Sequence, residues 1–248
     1  MEIIAEKIKT SDGVEGYLAY PKGQKSPALL IHFEIFGVNS HIQDVCRRFA
    51  EAGYAALAPD YYHRLPERIK PYSEVKAAFG LAATLKDDQI IADAGSCIRY
   101  LRSQPFIEHD AIGTLGFCMG GRISALVAAS YPQWISAVIS FYGGGLAGGS
   151  MFPGQTLNPM NEAAKIQAPV LLFYGGKDQH ITPEHVAAFT GKLKELGKNF
   201  ESKVYPDADH GFFCDERGSY NPAAAKDAWQ RVLDFLGKNL KKAPVGAR

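Results

Sequence analysis

Two hydrophobic periods take turns along this chain. "PALLIHF" (27–33) and "YAALAPD" (54–60) are near-continuous apolar runs of strand length, the pattern of strands covered on both faces. Between them, "HIQDVCRRFAEAG" (41–53) spaces its apolar residues at three and four positions and stops at glycine, as an amphipathic helix does. The same reading predicts helices over 87–104, 120–132, 182–197 and 222–240, and strands over 111–117, 134–143, 169–178 and 200–207. Ahead of these, residues 2–10 and 14–21 read as two short strands around the turn Ser11-Asp12-Gly13, an antiparallel hairpin.

Strands alternating with helices predict an α/β fold, a mostly parallel central sheet with helices on both faces, in one domain over residues 1–248. Two segments break the rhythm, 61–87 and 143–163, and both are long enough to be expected as loops at a pocket rim. The tail "KKAPVGAR" (241–248) is expected to fray, and no internal repeat is visible.

Composition narrows the function classes. With 248 residues, 46% of them hydrophobic, the chain can bury about three-quarters of its unfolded surface. The formal net charge is +1 and the basic residues are scattered, so no stripe for nucleic acid or acidic lipid is formed. The N-terminus carries acids and lysines where a signal peptide needs an apolar core, and no run reaches the ~18 apolar residues of a membrane span. A cytoplasmic protein is expected. Cys46, Cys97, Cys118 and Cys214 lie far apart with no CxxC pair and are expected to be thiols.

Chemistry is concentrated at the ends of predicted strands, where ligands of open parallel sheets bind. "GFCMG" (116–120) matches the nucleophile-elbow pattern G-x-nucleophile-x-G, with cysteine where serine is commoner. The flanking glycines make room for a tight strand-to-helix turn, and Gly121 extends the clearance. A thiol at the first turn of a helix is biased toward thiolate by the helix dipole, and the N–H of Met119 is left as half of an oxyanion hole. A base and an orienting carboxylate are needed beside it. "GGKD" ends a buried strand at Asp178, and "DADHGF" puts His210 in the loop before the last helix. Cys, Asp, His is the chain order of the α/β-hydrolase fold. Asp207 and Asp209 crowd the same loop but end no separate strand.

With these residues in place the sequence resembles the dienelactone hydrolase (carboxymethylenebutenolidase-like) family of the α/β-hydrolase superfamily over nearly its whole length. The matching segments are "FEIFGVN" (33–39), "APDYY" (58–62), "GFCMGGR" (116–122), "FYGGG" (141–145), "GGKD" (175–178) and "DADHGF" (207–212). The resemblance implies that Glu34 points at the nucleophile and helps generate the thiolate, that the N–H of Ile35 is the second oxyanion donor, and that Tyr142 and Phe36 contribute to substrate binding. It further implies an ester or lactone hydrolase that passes through a thioester, needs no metal or organic cofactor, takes a small-molecule substrate and exists as a monomer or homodimer.

Departures from the family pattern shape the expected substrate. The family's dienelactone-cleaving members resemble one another in a pair of arginines that grip the substrate carboxylate, one of them four positions after the catalytic histidine. Here that position is Cys214, with Arg217 near but displaced. The other arginine falls in the region of Arg64 and Arg68, which are therefore candidate substrate-binding residues. Neutral or bulkier esters and lactones are expected to be preferred over dienelactone.

"GGGLAG" (143–148) formally matches a dinucleotide fingerprint, but no helix can open after it. His180 and His185 are not at metal-ligand spacing, so no metal is expected. Two rival functions remain: a thiol-redox role in which Cys214 resolves Cys118, and a non-catalytic ligand receptor.

Overall fold

The computed structural model describes residues 1–240, apart from the side chains of 109–111; the tail expected to fray lies outside the described residues. Eight strands form one sheet: β1 (Ile3–Lys9), β2 (Glu15–Pro21), β3 (Ser26–His32), β4 (Ala55–Pro59), β5 (Ile107–Phe117), β6 (Ile135–Phe141), β7 (Val170–Gly175) and β8 (Phe200–Tyr205). The helices are α1 (Ser40–Glu51), α2 (Val75–Ala82), α3 (Asp87–Ser103), α4 (Met119–Ser130), α5 (Pro159–Glu162), α6 (Pro183–Glu195) and α7 (Pro222–Asn239).

Spatial order in the sheet is β1-β2-β4-β3-β5-β6-β7-β8. The hairpin β1–β2 and the pair β2–β4 are antiparallel, and every later pair is parallel. Every residue of β3, β4 and β7 is buried, which explains why these strands read as unbroken apolar runs rather than alternating ones.

Chain direction reverses at β3. From β3 the chain passes through α1 to β4 on one side, whereas β5 pairs on the other side and leads through α4 to β6. Right-handed crossovers then put α1 on one face and α3, α4 and α6 on the other. Packing agrees: Phe49 of α1 meets Trp229 of α7 at 4.7 Å between ring centroids, and α3 lies against α4. The crevice between the carboxyl ends of β3 and β5 is the switch point at which such sheets bind ligands. Glu34 follows β3 and Cys118 follows β5.

Helix starts follow their capping residues. Asn39 accepts from the Ile42 N–H at 3.1 Å, Asn221 accepts from Ala224 N–H at 3.1 Å, and Pro183 and Pro222 occupy first turns that need no proline N–H. The segment 61–87 is not wholly a loop, since it holds α2, and 143–163 ends in α5. That second segment is fastened to the core by a buried ion pair. Arg122 of α4 donates to both carboxylate oxygens of Asp87 at 2.6 and 2.8 Å and to the Leu157 carbonyl at 2.5 Å, while Leu157 N–H returns a bond to Asp87 at 2.8 Å.

Within the sheet, His32 is fully buried. One ring nitrogen lies 2.6 Å from Thr114 Oγ1 and the other 2.8 Å from Tyr61 Oη, and burial depresses its pKa to about 3.

Candidate active site

The turn from β5 to α4 can be made only if its flanks lack side chains. A Cβ on Gly116 would overlap the Gly120 carbonyl, and a Cβ on Gly120 would lie 2.6 Å from the carbonyl carbon of His32. With those positions empty, the turn holds Cys118 at φ 53° and ψ −117°, left-handed backbone that a side-chain-bearing residue adopts only under constraint. The constraint is visible on both sides of the residue. Cys118 N–H donates to Phe141 O at 3.0 Å, and its carbonyl accepts from Gly121 N–H at 2.9 Å and Gly144 N–H at 3.1 Å. Met119 is the first residue of α4, so its N–H has no partner within the helix.

Asp178 follows β7 and is 5% exposed. One oxygen accepts from the N–H groups of His180 and Ile181 at 2.8 and 2.9 Å, and the other is 2.7 Å from His210 Nδ1. Burial alone would raise its pKa, but the bond and charge of His210 and the two backbone N–H groups outweigh it, and the net shift is downward. His210 lies in the loop after β8. Burial opposes its charged form, yet the nearby Cys118 sulfur and the Asp178 carboxylate prevail and raise its pKa to about 10.

Cys118, His210, Glu34 and Ile35 border one cavity of about 540 Å³. Residues 143–151 form one wall, and Val75 and Phe79 of α2 contribute to another. Phe36 also lines it, packed edge-on against Tyr72 at 4.7 Å. Tyr142 stands behind the site, fully buried, at φ 39°, with its ring 5.0 Å from that of His210. Its hydroxyl has no hydrogen-bond partner, and burial together with nearby Glu34 pushes its pKa well up.

Glu34 is 2% exposed, and its carboxylate is 2.9 Å from Arg217 Nη1. Arg217 also lines the cavity, its guanidinium 5.9 Å from the Phe36 ring centroid and 5.5 Å from that of Tyr72. Sequence spacing set Arg217 aside as displaced. Successive turns, Cys214 N–H to Gly211 O at 3.1 Å and Arg217 N–H to Cys214 O at 3.2 Å, wind the loop back so that the Arg217 side chain lies against Gly211, beside His210. Gly211 starts that winding at a positive φ of 78°.

Two expected substrate residues are elsewhere. Arg64 makes a bidentate pair with the buried Asp93 at 2.7 Å for each bond. Arg68 pairs with Glu15 and lies 3.4 Å from Asp60, at the β2–β4 side of the sheet. Neither borders the cavity, and each is held by a carboxylate outside it. Cys214 is buried and its thiol is 3.3 Å from Tyr72 Oη. Burial pushes its pKa to about 12, a poor thiolate for resolving an oxidised Cys118.

Comparison with known proteins follows the same outline. The model of the dienelactone hydrolase family matches residues 14–240. A Synechocystis protein provisionally named a carboxymethylenebutenolidase is 38% identical over 235 residues, spanning 92% of this chain and 93% of its own. A Bradyrhizobium protein provisionally named a 2-oxo-3-(5-oxofuran-2-ylidene)propanoate lactonase is 34% identical over 225 residues, 90% of this chain and 89% of its own. A crystal structure from Klebsiella pneumoniae, provisionally named a dienelactone hydrolase, superposes with a TM-score of 0.87 at 33% identity over 96% of this chain and all of that one. The dienelactone hydrolase-like promiscuous phosphotriesterase P91, 20% identical with a TM-score of 0.82 over 97% of this chain and 100% of its own, shares the fold.

Proposed function

The chain belongs to the dienelactone hydrolase family, and on that premise we propose that it hydrolyses esters or lactones through Cys118, His210 and Asp178. The observation that carries this reading is the convergence of a strained thiol, an imidazole beside it and a carboxylate 2.7 Å behind the imidazole, at the mouth of one cavity.

In this mechanism the Cys118 sulfur attacks the carbonyl carbon. The developing oxyanion is held by the N–H groups of Ile35 and Met119. His210, which retains its proton at neutral pH, gives it to the leaving alkoxide. The resulting thioester is attacked by water, whose proton His210 accepts, and the carbon–sulfur bond breaks to release the carboxylic acid and restore the Cys118 thiolate beside protonated His210. Asp178 fixes the ring so that its other nitrogen faces the sulfur and the substrate.

Neutral esters and lactones are the substrates this pocket favours. Arg217 is engaged by Glu34, and Arg64 and Arg68 are paired outside the cavity, so a substrate carboxylate would have to compete with Glu34 for its counter-ion. The rim is apolar: Val75, Phe79 and Met151 are 45%, 40% and 49% exposed. No helix among the described residues is long and apolar enough to cross a membrane. A cytoplasmic location suits the four free thiols.

The test is hydrolysis of p-nitrophenyl acetate at neutral pH by the wild type and by Cys118→Ala. Loss of the nucleophile is expected to cut kcat by roughly 10³-fold or more. Equally slow turnover by the two proteins would remove Cys118 as the acyl nucleophile for this ester and bring forward the thiol-redox and receptor readings.

A further inference from the structure

Behind the candidate active site lies a second group of chemically distinct side chains that the hydrolytic mechanism does not use. His41, in the first turn of α1, is 1% exposed, and neither ring nitrogen has a hydrogen-bond partner. A buried imidazole with both nitrogens unmet is costly and uncommon. Two aromatic rings, Phe117 and Phe213, pack edge-on against it at 5.9 and 6.3 Å and fix its plane.

The ring faces potential ligands. His41 Nδ1 is 3.7 Å from Asp215 Oδ1. One ligand atom each from His41, Cys214 and Asp215 lies within 4.8 Å of the others. Charges of both signs surround them: Glu34, Asp215 and Glu216 act on His41 against Arg48, whose guanidinium stacks on Phe213 and Trp229, and Arg217, paired with Glu34, acts on Cys214. Ser40 Oγ donates to Glu216 at 2.8 Å, tying the start of α1 to the 214–217 loop.

We propose that His41, Cys214 and Asp215 form a binding site for a thiophilic divalent cation of the Zn²⁺ type, with one position left for water. Imidazole, thiolate and carboxylate form the donor mixture that borderline-soft cations select, whereas Mg²⁺ and Ca²⁺ prefer oxygen alone. Tetrahedral zinc holds sulfur at about 2.3 Å and nitrogen or oxygen at about 2.0–2.2 Å, so the three donors must draw together by about 1 Å. The exposed Asp215 side chain is free to take its share of that movement, and the buried His41 and Cys214 must supply the rest. On binding, the S–H bond of Cys214 breaks, its electron pair goes to the metal and its proton to solvent. Sequence spacing cannot reveal the site, since α1 and the loop after β8 meet only in the folded chain.

Cys118 and His210 could also take a soft cation, so the experiment is done in the Cys118→Ala background. Purified Cys118→Ala is titrated with Co²⁺ as a spectroscopic stand-in, and with Zn²⁺ against a chromophoric chelator. The expected result is one equivalent bound, with tetrahedral Co²⁺ bands and a sulfur-to-cobalt charge-transfer band. Adding Cys214→Ser should abolish the charge-transfer band and weaken Zn²⁺ at least tenfold. Asp215→Asn, at an exposed position that does not endanger folding, should also weaken it. Binding seen only when Cys118 is present, binding unaffected by Cys214→Ser, or no binding in Cys118→Ala would each overturn the proposal.

Discussion

Replacing Arg122 with methionine should be among the most damaging single changes outside the candidate active site. Arg122 and Asp87 are each 1% exposed, and their two bonds of 2.6 and 2.8 Å are reinforced by Leu157, which receives a bond from one and gives a bond to the other. Methionine fills much of the volume but leaves the Asp87 carboxylate buried with its charge uncompensated. Breaking a buried pair in this way costs about 3–5 kcal/mol. For a chain of this size, where 1 kcal/mol moves Tm by about 2–4 °C, the fall should be about 6–20 °C. Urea unfolding followed by circular dichroism measures the loss directly. Because Leu157 belongs to the segment whose earlier part walls the cavity, KM should rise in the variants that stay folded. The double change Arg122→Met with Asp87→Asn removes both charges and should cost clearly less than the sum of the single changes. A loss below about 1 kcal/mol in Arg122→Met, or simple additivity in the double variant, would refute the view that this pair fastens the rim.

Two further outcomes follow from the fold. His32 has an ordinary pKa of 6.5 when unfolded and about 3 when folded, so below pH 6.5 the unfolded chain binds the proton and the folded chain does not. Its contribution is complete above pH 6.5 and is lost as pH falls toward 3. By pH 5 the loss is about 2 kcal/mol, from 1.5 units at 1.36 kcal/mol each. His32→Gln should lack that part of the decline between pH 7 and 5 in paired urea titrations, and parallel slopes for the two proteins would show the assignment to be wrong. Gly120→Ala places a methyl against the backbone of His32 and Phe33, so the elbow must shift. A loss of about 1–3 kcal/mol is expected, with esterase activity falling further than stability predicts; an alanine variant as active as wild type would contradict the steric account.

Legibility in the sequence divides along a physical line. β3, β4 and β7 announced themselves because burial on both faces demands unbroken apolar runs, and the Cys118 corner did so because its glycines are required by contact with neighbouring backbone. Each of Cys118, Asp178 and His210 follows a separate strand; Asp178 lies 2.7 Å from His210, and His210 and Cys118 border one cavity. α2 was hidden inside a segment expected as loop, since "VKAAFGLA" carries an internal glycine and buries only Ala78 and Ala82. The fates of the arginines were hidden more deeply. Arg64 meets Asp93 and Arg217 meets Glu34 only after distant elements pack, and no local pattern distinguishes a paired arginine from one aimed at a substrate. The same holds for His41 and Asp215.

The placement of Cys118 after β5 and His210 after β8 also sets a schedule for synthesis. Translation delivers the thiol about ninety residues before the imidazole, a delay of roughly 5–20 s at ribosomal speed. Until β6 is made, the corner that strains Cys118 lacks the Phe141 carbonyl that holds its N–H, and until the end of the interval the chain lacks the loop after β8. A nascent chain that ends before β6 therefore carries this cysteine without the backbone bond that holds the bend. Cys118 and His210 can meet only once the loop after β8 has been made, so the bend at Cys118 can be set well before its imidazole neighbour arrives.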